Sequence, residues 1–235
     1  MVKQVVEGLW QVPLGPVNAY LADNGGELVV VDTGLPGNGD KLEAAILEIG
    51  RRPPDVRSII VTHAHPDHDG SAAALRRLTG ASIYMHEADA PLLRKGVGLR
   101  KLKPSPGMPG IIFRLFIHPP ATVEAAEVEG TLSEGEPAPG GFRVIHVPGH
   151  CAGQVALLWE RAGGVLIAAD AAANQMGLGI SPAYEDLELG KRSLARLAGL
   201  DFEVAVFGHG KPILEGAATA FRAKFGVRAV SAGAQ

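Results

Sequence analysis

Residues 61–70 read Val-Thr-His-Ala-His-Pro-Asp-His-Asp-Gly and place three histidines and an aspartate within six residues, 63–68. A β-branched, apolar run with strand character, 58–61, leads into this stretch, and a helix-like run, 72–78, follows it. The stretch is therefore predicted to be a loop between a buried strand and a helix.

The order of residues in this loop predicts two neighbouring metal-binding groups. Pro66 biases His65 toward an extended backbone, so His63 and His65 are predicted to project to the same side and to bind one ion. The chain turns after the proline, and Asp67 and His68 are predicted to point to a second ion about 3.5–4 Å away. Solvated surface residues are the alternative, but this density of imidazole and carboxylate groups is typical of zinc, manganese and iron sites.

Three later apolar runs repeat the arrangement, because each ends just before a potential ligand. The runs and the residues that follow them are 142–147 with His150, 165–169 with Asp170, and 204–207 with His209. A carboxylate straight after five apolar residues would be costly to bury without a cation. We therefore expect four strands of one sheet to deliver seven candidate metal ligands to one rim. These are His63, His65, Asp67, His68, His150, Asp170 and His209.

Three further positions allow two interpretations each. Asp32 follows the buried strand 28–31, and it is either a turn former or a carboxylate that accepts a hydrogen bond from a ligand imidazole. Cys151 is interpreted as a small buried residue in preference to an additional metal contact. Tyr184 is a candidate donor to an oxyanion, although most tyrosines only pack.

Segment 96–120 is rich in glycine, proline and basic residues. It is predicted to be irregular and to form a lid or a wall of the substrate pocket. Its lysines and arginines either attract an anionic substrate or are simply solvated. His86 and His118 have no partners at ligand spacing and are predicted to be structural.

The composition and the length of the chain indicate its domain number, its class of partner and its location. The 235 residues carry a formal net charge of -3 and one cysteine, which predicts a single domain over residues 1–235 without an internal disulfide. No basic field is present for nucleic acid or a membrane surface, so a small-molecule substrate is the expected partner. The first ten residues lack the features of an export signal, and no apolar run approaches the ~20 residues of a membrane helix. We therefore expect a cytoplasmic protein, and a homodimer stays open.

The motifs together resemble the metallo-β-lactamase-fold hydrolase superfamily over nearly the whole chain. The residues that carry the resemblance are 31–34, 62–68, 148–150, Asp170 and 208–210. The resemblance implies an α/β fold, the four-layer αββα sandwich, with the site at one edge of its two sheets. It also implies a first metal held by His63, His65 and His150, a second held by Asp67, His68 and His209, and Asp170 as the bridge between them.

This ligand set predicts a dinuclear metal-dependent hydrolase. Two divalent ions, with Zn²⁺ favoured over Mn²⁺ or iron, would lower the pKa of a bridging water toward ~7 and polarise the substrate oxygen. The resulting hydroxide is expected to attack a small acyl substrate, namely an ester, a thioester or a lactone. The predicted catalytic residues are Asp67, Asp170 and His209, and Asp67 is expected to orient the hydroxide.

Differences from particular members of the superfamily narrow the substrate. His68 and the lack of an export signal argue against a β-lactamase. Only residues 211–235 follow the last motif, which argues against a domain that binds glutathione. A metal-dependent phosphodiesterase and a non-hydrolytic metal-binding or sensing protein are the alternatives.

Overall fold

A computed structural model of the chain describes residues 1–98, 100–116 and 120–226. The strands are β1 (Lys3–Val6), β2 (Leu9–Pro13), β3 (Asn18–Asp23), β4 (Leu28–Val31), β5 (Val56–Ile60), β6 (Ser82–Met85), β7 (Lys103–Pro104), β8 (Gly130–Thr131), β9 (Pro137–Ala138), β10 (Phe142–His146), β11 (Val155–Trp159), β12 (Val165–Ile167), β13 (Ala172–Ala173), β14 (Gly179–Ile180), β15 (Ala183–Tyr184) and β16 (Val204–Val206). The helices are α1 (Gly39–Glu48), α2 (Pro66–Asp69), α3 (Ala72–Thr79), α4 (Ala90–Arg94), α5 (Met108–Phe116), α6 (Leu187–Ala198) and α7 (Ala217–Phe225). Within the described ranges, none of these helices has the length and apolar character needed to cross a bilayer.

Two sheets dominate the described part of the chain. The first has the strand order β1-β2-β3-β4-β5-β6-β8, in which β1 to β4 pair antiparallel and β4, β5, β6 and β8 run parallel. The second has the order β16-β12-β11-β10-β9, in which only the β16 and β12 pair is parallel. Two short ribbons, β13 with β14 and β7 with β15, lie outside both sheets.

Three buried apolar clusters show how the layers stack. The first apolar cluster joins the first sheet to helices α1, α3 and α4. The second fills the space between the two sheets, and the third joins the second sheet to helices α6 and α7. The order of layers is therefore helix, sheet, sheet, helix, and the predicted αββα sandwich is confirmed.

Strand β4 shows why its sequence is apolar at every position. Leu28 and Val30 pack in the first apolar cluster, on the helix side, whereas Val29 and Val31 pack between the sheets. A strand covered on both faces cannot alternate apolar with polar residues without burying unpaired polar groups. The run stops at Asp32, where the chain reaches the edge of the sheet.

The sheet membership of the site-bearing strands differs from our expectation. We expected four strands of one sheet, but β5 belongs to the first sheet, whereas β10, β12 and β16 belong to the second. The prediction of a single sheet is wrong because short apolar runs look alike in sequence, and periodicity does not reveal which strands pair. The candidate ligands therefore follow strands of two sheets that face each other.

Segment 96–120 contains regular structure where we predicted an irregular loop. Strand β7 pairs with β15, and α5 follows it, with Pro109 in the first turn, where a missing N–H is tolerated. A Cβ at Gly110 would overlap the carbonyl oxygen of Ser105, so the close approach of helix and loop requires glycine. Residues 99 and 117–119 lie outside the described residues, and so does the structural role predicted for His118.

Candidate metal centre

The loop between β5 and α3 has the predicted backbone geometry. His65 is extended, with φ -127° and ψ 145°, and Pro66 begins α2 directly after it. The rings of His63 and His65 lie side by side, with centroids 4.6 Å apart and planes at 82°. Both imidazoles therefore project to the same side of the loop, as we expected.

The first cluster consists of three buried histidines, His63, His65 and His150. One ring nitrogen from each lies within 4.8 Å of the others. His150 reaches the cluster from the loop after β10 of the second sheet, and its Nε2 lies 2.9 Å from Nδ1 of His65. Three converging imidazoles in a buried space are a donor set that suits zinc.

The second cluster consists of Asp67, His68 and His209, whose ligand atoms also lie within 4.8 Å of one another. Nε2 of His209 lies 3.2 Å from Oδ2 of Asp67, and Nε2 of His68 lies 3.8 Å from the same oxygen. Asp67 and His68 come from α2, whereas His209 follows β16 in the other sheet. The second cluster therefore mixes imidazole with carboxylate and again draws on both sheets.

Asp170, which follows β12, lies between the two clusters. Its Oδ1 is 3.4 Å from Nε2 of His68, and its Oδ2 is 3.3 Å from Nε2 of His209 and 3.7 Å from Nε2 of His150. A Cβ at Gly208 would overlap Oδ1 of Asp170, so only glycine lets the β16 loop pass this close. One carboxylate thus reaches members of both clusters.

Several polar atoms at this place have no partner within the described residues. They are Nε2 of His63, Nε2 of His68 and Oδ1 of Asp170, which are buried and form no hydrogen bond. Buried polar atoms are normally hydrogen-bonded, because an unsatisfied one loses its water without compensation. Lone pairs of imidazole and carboxylate that converge in this way fit two divalent cations.

Among the seven candidate ligands, the two that are partly exposed are Asp67 and His209. The side chain of Asp67 is 30% exposed and that of His209 is 15% exposed. The other five members of the two clusters and their bridge are each at most 6% exposed. A substrate must therefore approach from the side of Asp67 and His209.

The histidines of the first cluster are held neutral. Burial lowers the pKa of His63 and His65 well below the usual value, and neighbouring imidazoles lower it further. Burial also lowers the pKa of His150. Because neutral imidazole is the form that binds metals, this cluster is ready for a cation at neutral pH.

The second cluster holds protons instead. Burial opposes the charged form of His209, but Asp170 and Asp67 outweigh it and raise the pKa of His209 to about 10. Asp170, Asp67 and Asp32 likewise hold the pKa of His68 well above its usual value despite burial. His209 and His68 in turn keep the pKa of the Asp170 carboxyl low. Without a cation, the two imidazolium groups balance the carboxylates.

Asp32 fixes the orientation of His68. Its Oδ2 accepts a hydrogen bond of 2.8 Å from Nδ1 of His68, and its two oxygens also accept bonds from the N–H and the hydroxyl of Thr62. The predicted hydrogen bond between Asp32 and an imidazole of the cluster is therefore confirmed. Asp32 has a φ of 60°, unusual for a residue other than glycine, and these bonds hold it there.

Two backbone carbonyls orient the histidines that come from the second sheet. Nδ1 of His150 donates to the oxygen of Ala183 at 2.7 Å, and Nδ1 of His209 donates to the oxygen of Pro16 at 2.8 Å. Because Nδ1 carries the proton in each bond, Nε2 faces the cluster with its lone pair when the imidazole is neutral.

Sequence reasoning missed the residues that hold the loop of His209. The side-chain amide of Asn18 donates to the carbonyl oxygens of Phe207 and Gly210, at 3.1 and 3.0 Å. The hydroxyl of Tyr20 donates to the oxygen of Phe207 at 2.7 Å. Both residues lie on β3 of the first sheet, and no sequence pattern links them to a loop so far along the chain.

Arg100 has neither of the roles we expected for the basic residues of segment 96–120. Its buried guanidinium lies 2.9 Å from Oδ1 of Asp89 and donates to Glu185 at 2.8 Å. Its charge is therefore neutralised within the protein and is not offered to an anionic substrate. Sequence reasoning did not single out Asp89, which is completely buried.

Tyr184 and Cys151 both have structural contacts. The hydroxyl of Tyr184 accepts from the N–H of Ser181 at 3.0 Å and donates to the oxygen of Ala171 at 3.1 Å, so it packs and is engaged by the backbone. The thiol of Cys151 is buried and donates to Asp89 at 3.3 Å. These contacts agree with the packing interpretation of each residue.

Comparisons with known proteins agree with this geometry. The family model described as Metallo-beta-lactamase superfamily matches residues 12–209. The protein YobT of Bacillus subtilis (strain 168) is 31% identical over 179 residues, which cover 74% of this chain and 71% of YobT. A hydroxyacylglutathione hydrolase of Anaeromyxobacter dehalogenans (strain 2CP-C) is 34% identical over 142 residues, 60% of this chain. That match spans only 41% of the length of the hydrolase.

A solved structure shows the same fold. BJP-1, a subclass B3 metallo-beta-lactamase of Bradyrhizobium japonicum, superposes with a TM-score of 0.70 at 20% identity, over 95% of this chain and 90% of BJP-1. At this identity the likeness concerns the fold alone. The family model, by contrast, spans all seven candidate ligands, from His63 to His209. The chain therefore belongs to the metallo-beta-lactamase superfamily.

Proposed function

We propose that this chain is a dinuclear hydrolase that acts on a small acyl substrate, namely an ester, a thioester or a lactone. Membership of the superfamily makes it a metal-dependent hydrolase, whereas the number of ions, the role of each residue and the substrate class are our proposal. The observation that carries it is the convergence of two ligand clusters, the first buried and the second partly exposed, on one carboxylate, Asp170.

The residues divide into two sets of three with a shared bridge. The first ion would be held by His63, His65 and His150, the second by Asp67, His68 and His209, and Asp170 reaches both sets. Two divalent ions held there supply Lewis acidity and lower the pKa of a water molecule toward ~7. Zn²⁺ suits the three-imidazole set best, and Mn²⁺ and iron are the alternatives.

Asp67 and His209 border the open side, where the substrate meets the centre. Asp67 is placed to accept a hydrogen bond from the attacking water and to orient it toward the substrate carbonyl. The carboxylate of Asp170 places a negative charge between the two clusters. This charge would reduce the electrostatic repulsion between two bound cations. The five buried members keep bulk water away, so the attraction between the cations and a negative charge that develops on the substrate would be screened less than in water.

Two observations support a small acyl substrate. The chain carries a net charge of -3, and the buried Arg100 is paired with carboxylates, so neither the net charge nor this arginine favours a polyanion. The relative from Anaeromyxobacter dehalogenans is named for hydrolysis of an acylated glutathione. A single domain over residues 1–235 and a cytoplasmic location stay predictions.

A substrate panel tests the proposal. The protein is stripped with a chelator, reloaded with Zn²⁺ or Mn²⁺, and assayed with p-nitrophenyl acetate, a γ-lactone, S-lactoylglutathione and bis(p-nitrophenyl) phosphate. We expect metal-dependent turnover of an acyl substrate, and we expect His65→Ala and Asp170→Ala to lower kcat/KM by more than about 100-fold. The matched control is His86→Ala, because His86 is half-buried, stacks on His146 and belongs to neither cluster.

Other results of this panel would indicate a different substrate or a different function, or would contradict the mechanism. Preferential cleavage of the phosphodiester would replace the acyl substrate by a phosphodiester. Binding of metal without turnover of any substrate would favour a sensing or binding protein. Full activity of the stripped protein, or of Asp170→Ala, would contradict a metal-dependent mechanism at this centre.

A further inference from the structure

Asp89 lies between β6 and α4 and is completely buried, yet it is not a member of either cluster. All of its neighbours that form polar contacts are donors. Its Oδ2 accepts from the N–H of Ala64 at 2.8 Å and from the thiol of Cys151 at 3.3 Å. Its Oδ1 accepts from the N–H of Gly153 at 2.8 Å and lies 2.9 Å from Nη1 of Arg100.

Three of these four donors belong to the two loops that carry the first cluster. Ala64 lies between His63 and His65, whereas Cys151 and Gly153 follow His150. One carboxylate therefore connects a loop of the first sheet to a loop of the second sheet. A Cβ at Gly153 would lie 2.5 Å from Cγ of Asp89, so the second loop can approach this carboxylate only because it has glycine there.

Arg100 extends the connection back to His150. Its Nη2 lies 2.7 Å from Oε1 of Glu185, and the N–H of Glu185 donates to the carbonyl oxygen of His150 at 3.0 Å. The buried guanidinium also balances the charge of Asp89, which would otherwise be costly to bury. The chain of contacts from Asp89 through Arg100 to Glu185 therefore fixes the backbone of His150 from a second direction.

The second cluster has separate supports. His68 is held by Asp32, and His209 is held by the oxygen of Pro16 and by the loop contacts of Asn18. None of these contacts includes Asp89 or Arg100. A change at Asp89 should therefore act on the first cluster alone. A change at Asp32 should act on the second cluster through His68 and also reach His63, because the Thr62 hydroxyl that donates to Asp32 lies 3.0 Å from Nδ1 of His63.

We propose that Asp89, balanced by Arg100, is the positioning residue that sets the spacing of His63, His65 and His150 and thereby the metal affinity of the first cluster alone. The proposal rests on the proposed function only in that the three histidines bind a metal. Asparagine at position 89 keeps the shape but places an NH₂ group against donors on whichever side it points. It also removes one of the two carboxylates that pair with Arg100 and leaves only Glu185 to balance this buried charge within the described residues.

The experiment measures metal binding directly, with Zn²⁺ and Co²⁺ as the probes. Chelator-stripped Asp89→Asn is titrated with Zn²⁺ in competition with a chromophoric chelator, and Co²⁺ absorption spectra identify which cluster is filled. Reference spectra come from His209→Ala, which keeps the first cluster, and from His150→Ala, which keeps the second. We expect Asp89→Asn to bind about 10- to 100-fold more weakly at the first cluster, with the second unchanged.

Two further variants make the test specific. Asp32→Asn should weaken the second cluster, which Asp89→Asn leaves unchanged, because Asp32 holds Nδ1 of His68. Asp55→Asn is the matched control, because Asp55 also accepts from a backbone N–H and from arginine, but it precedes β5 and so lies at the far end of that strand from the centre. It should bind both ions as the parent protein does.

Equal weakening of both clusters in Asp89→Asn, or no weakening at all, would overturn the proposal. If circular dichroism shows that Asp89→Asn does not fold, Arg100→Gln takes its place, with a smaller loss expected at the same cluster. A folded Arg100→Gln with an unchanged first cluster would also overturn the proposal. A parent protein that binds no metal would instead remove the proposed function, so the two failures are distinguishable.

Discussion

Loading the second cluster with zinc should release protons, whereas loading the first should release almost none. Asp170 and Asp67 raise the pKa of His209 to about 10. The same two carboxylates, together with Asp32, hold the pKa of His68 well above its usual value. Near pH 7.5, a group with a pKa of ~10 is roughly 99% protonated. The ion must displace the protons held there, because only the neutral imidazole has a lone pair to offer.

The expected pH dependence of metal binding follows from the number of protons that the ion displaces. A raised pKa means that the proton is held below that pKa and lost above it, so metal binding at the second cluster weakens as pH falls. We expect between one and two protons released per second ion, and a binding constant that rises about 10- to 100-fold per pH unit between pH 7 and 9. The first cluster should show a slope near zero in this range, because burial lowers the pKa of His63, His65 and His150.

Calorimetry in buffers of different ionisation enthalpy counts these protons. His150→Ala isolates the second cluster and His209→Ala isolates the first, so each ion is measured without a water that ionises between two cations. The reasoning would be refuted if His150→Ala released no protons. It would also be refuted if His209→Ala released two protons when its first cluster is loaded.

The remaining predictions concern the surroundings of the centre. Gly208→Ala should prevent binding of two ions, since its Cβ would overlap Asp170, whereas Gly26→Ala, in open space, should bind normally by zinc analysis. Asp32→Ala should lower the free energy of unfolding of the stripped protein by about 2–4 kcal/mol in urea, because it leaves buried donors unpaired. Tyr184→Phe should lower the free energy of unfolding by about 1–2 kcal/mol and change kcat little. A 100-fold loss of kcat would instead support Tyr184 as a hydrogen-bond donor to an oxyanion. Removal of both ions by a chelator should lower the free energy of unfolding by about 2.7 kcal/mol or more per ion at 100-fold excess over Kd, measured by thermal melting.

The sequence predicted which strand ends carry the candidate ligands, because each of these ligands is a short-range signal. A histidine or aspartate directly after an apolar run marks the end of a strand, and His63, Asp170 and His209 all lie where this rule places them. Pro66 set the backbone of His65 by a purely local steric effect, which the structure confirms.

Long-range pairing could not be predicted in this way. The four site-bearing strands look alike in sequence, so their division between two sheets is set by packing and not by local pattern. Asp89 gave no signal, because its partners Ala64 and Gly153 offer backbone N–H groups that any residue would have. Helix α5 was missed because Pro109 and Gly110 suggest a break, although both fit its first turn.

Each ligand cluster takes members from both halves of the chain. His63 and His65 come from the first sheet and meet His150 from the second, and His68 meets His209 in the same way. Each cation would thus act as a reversible cross-link between the halves, in a chain whose single cysteine cannot form one internally. Loss of metal should loosen the seam between the two sheets as a whole, and amide hydrogen exchange should speed up on both sides of it.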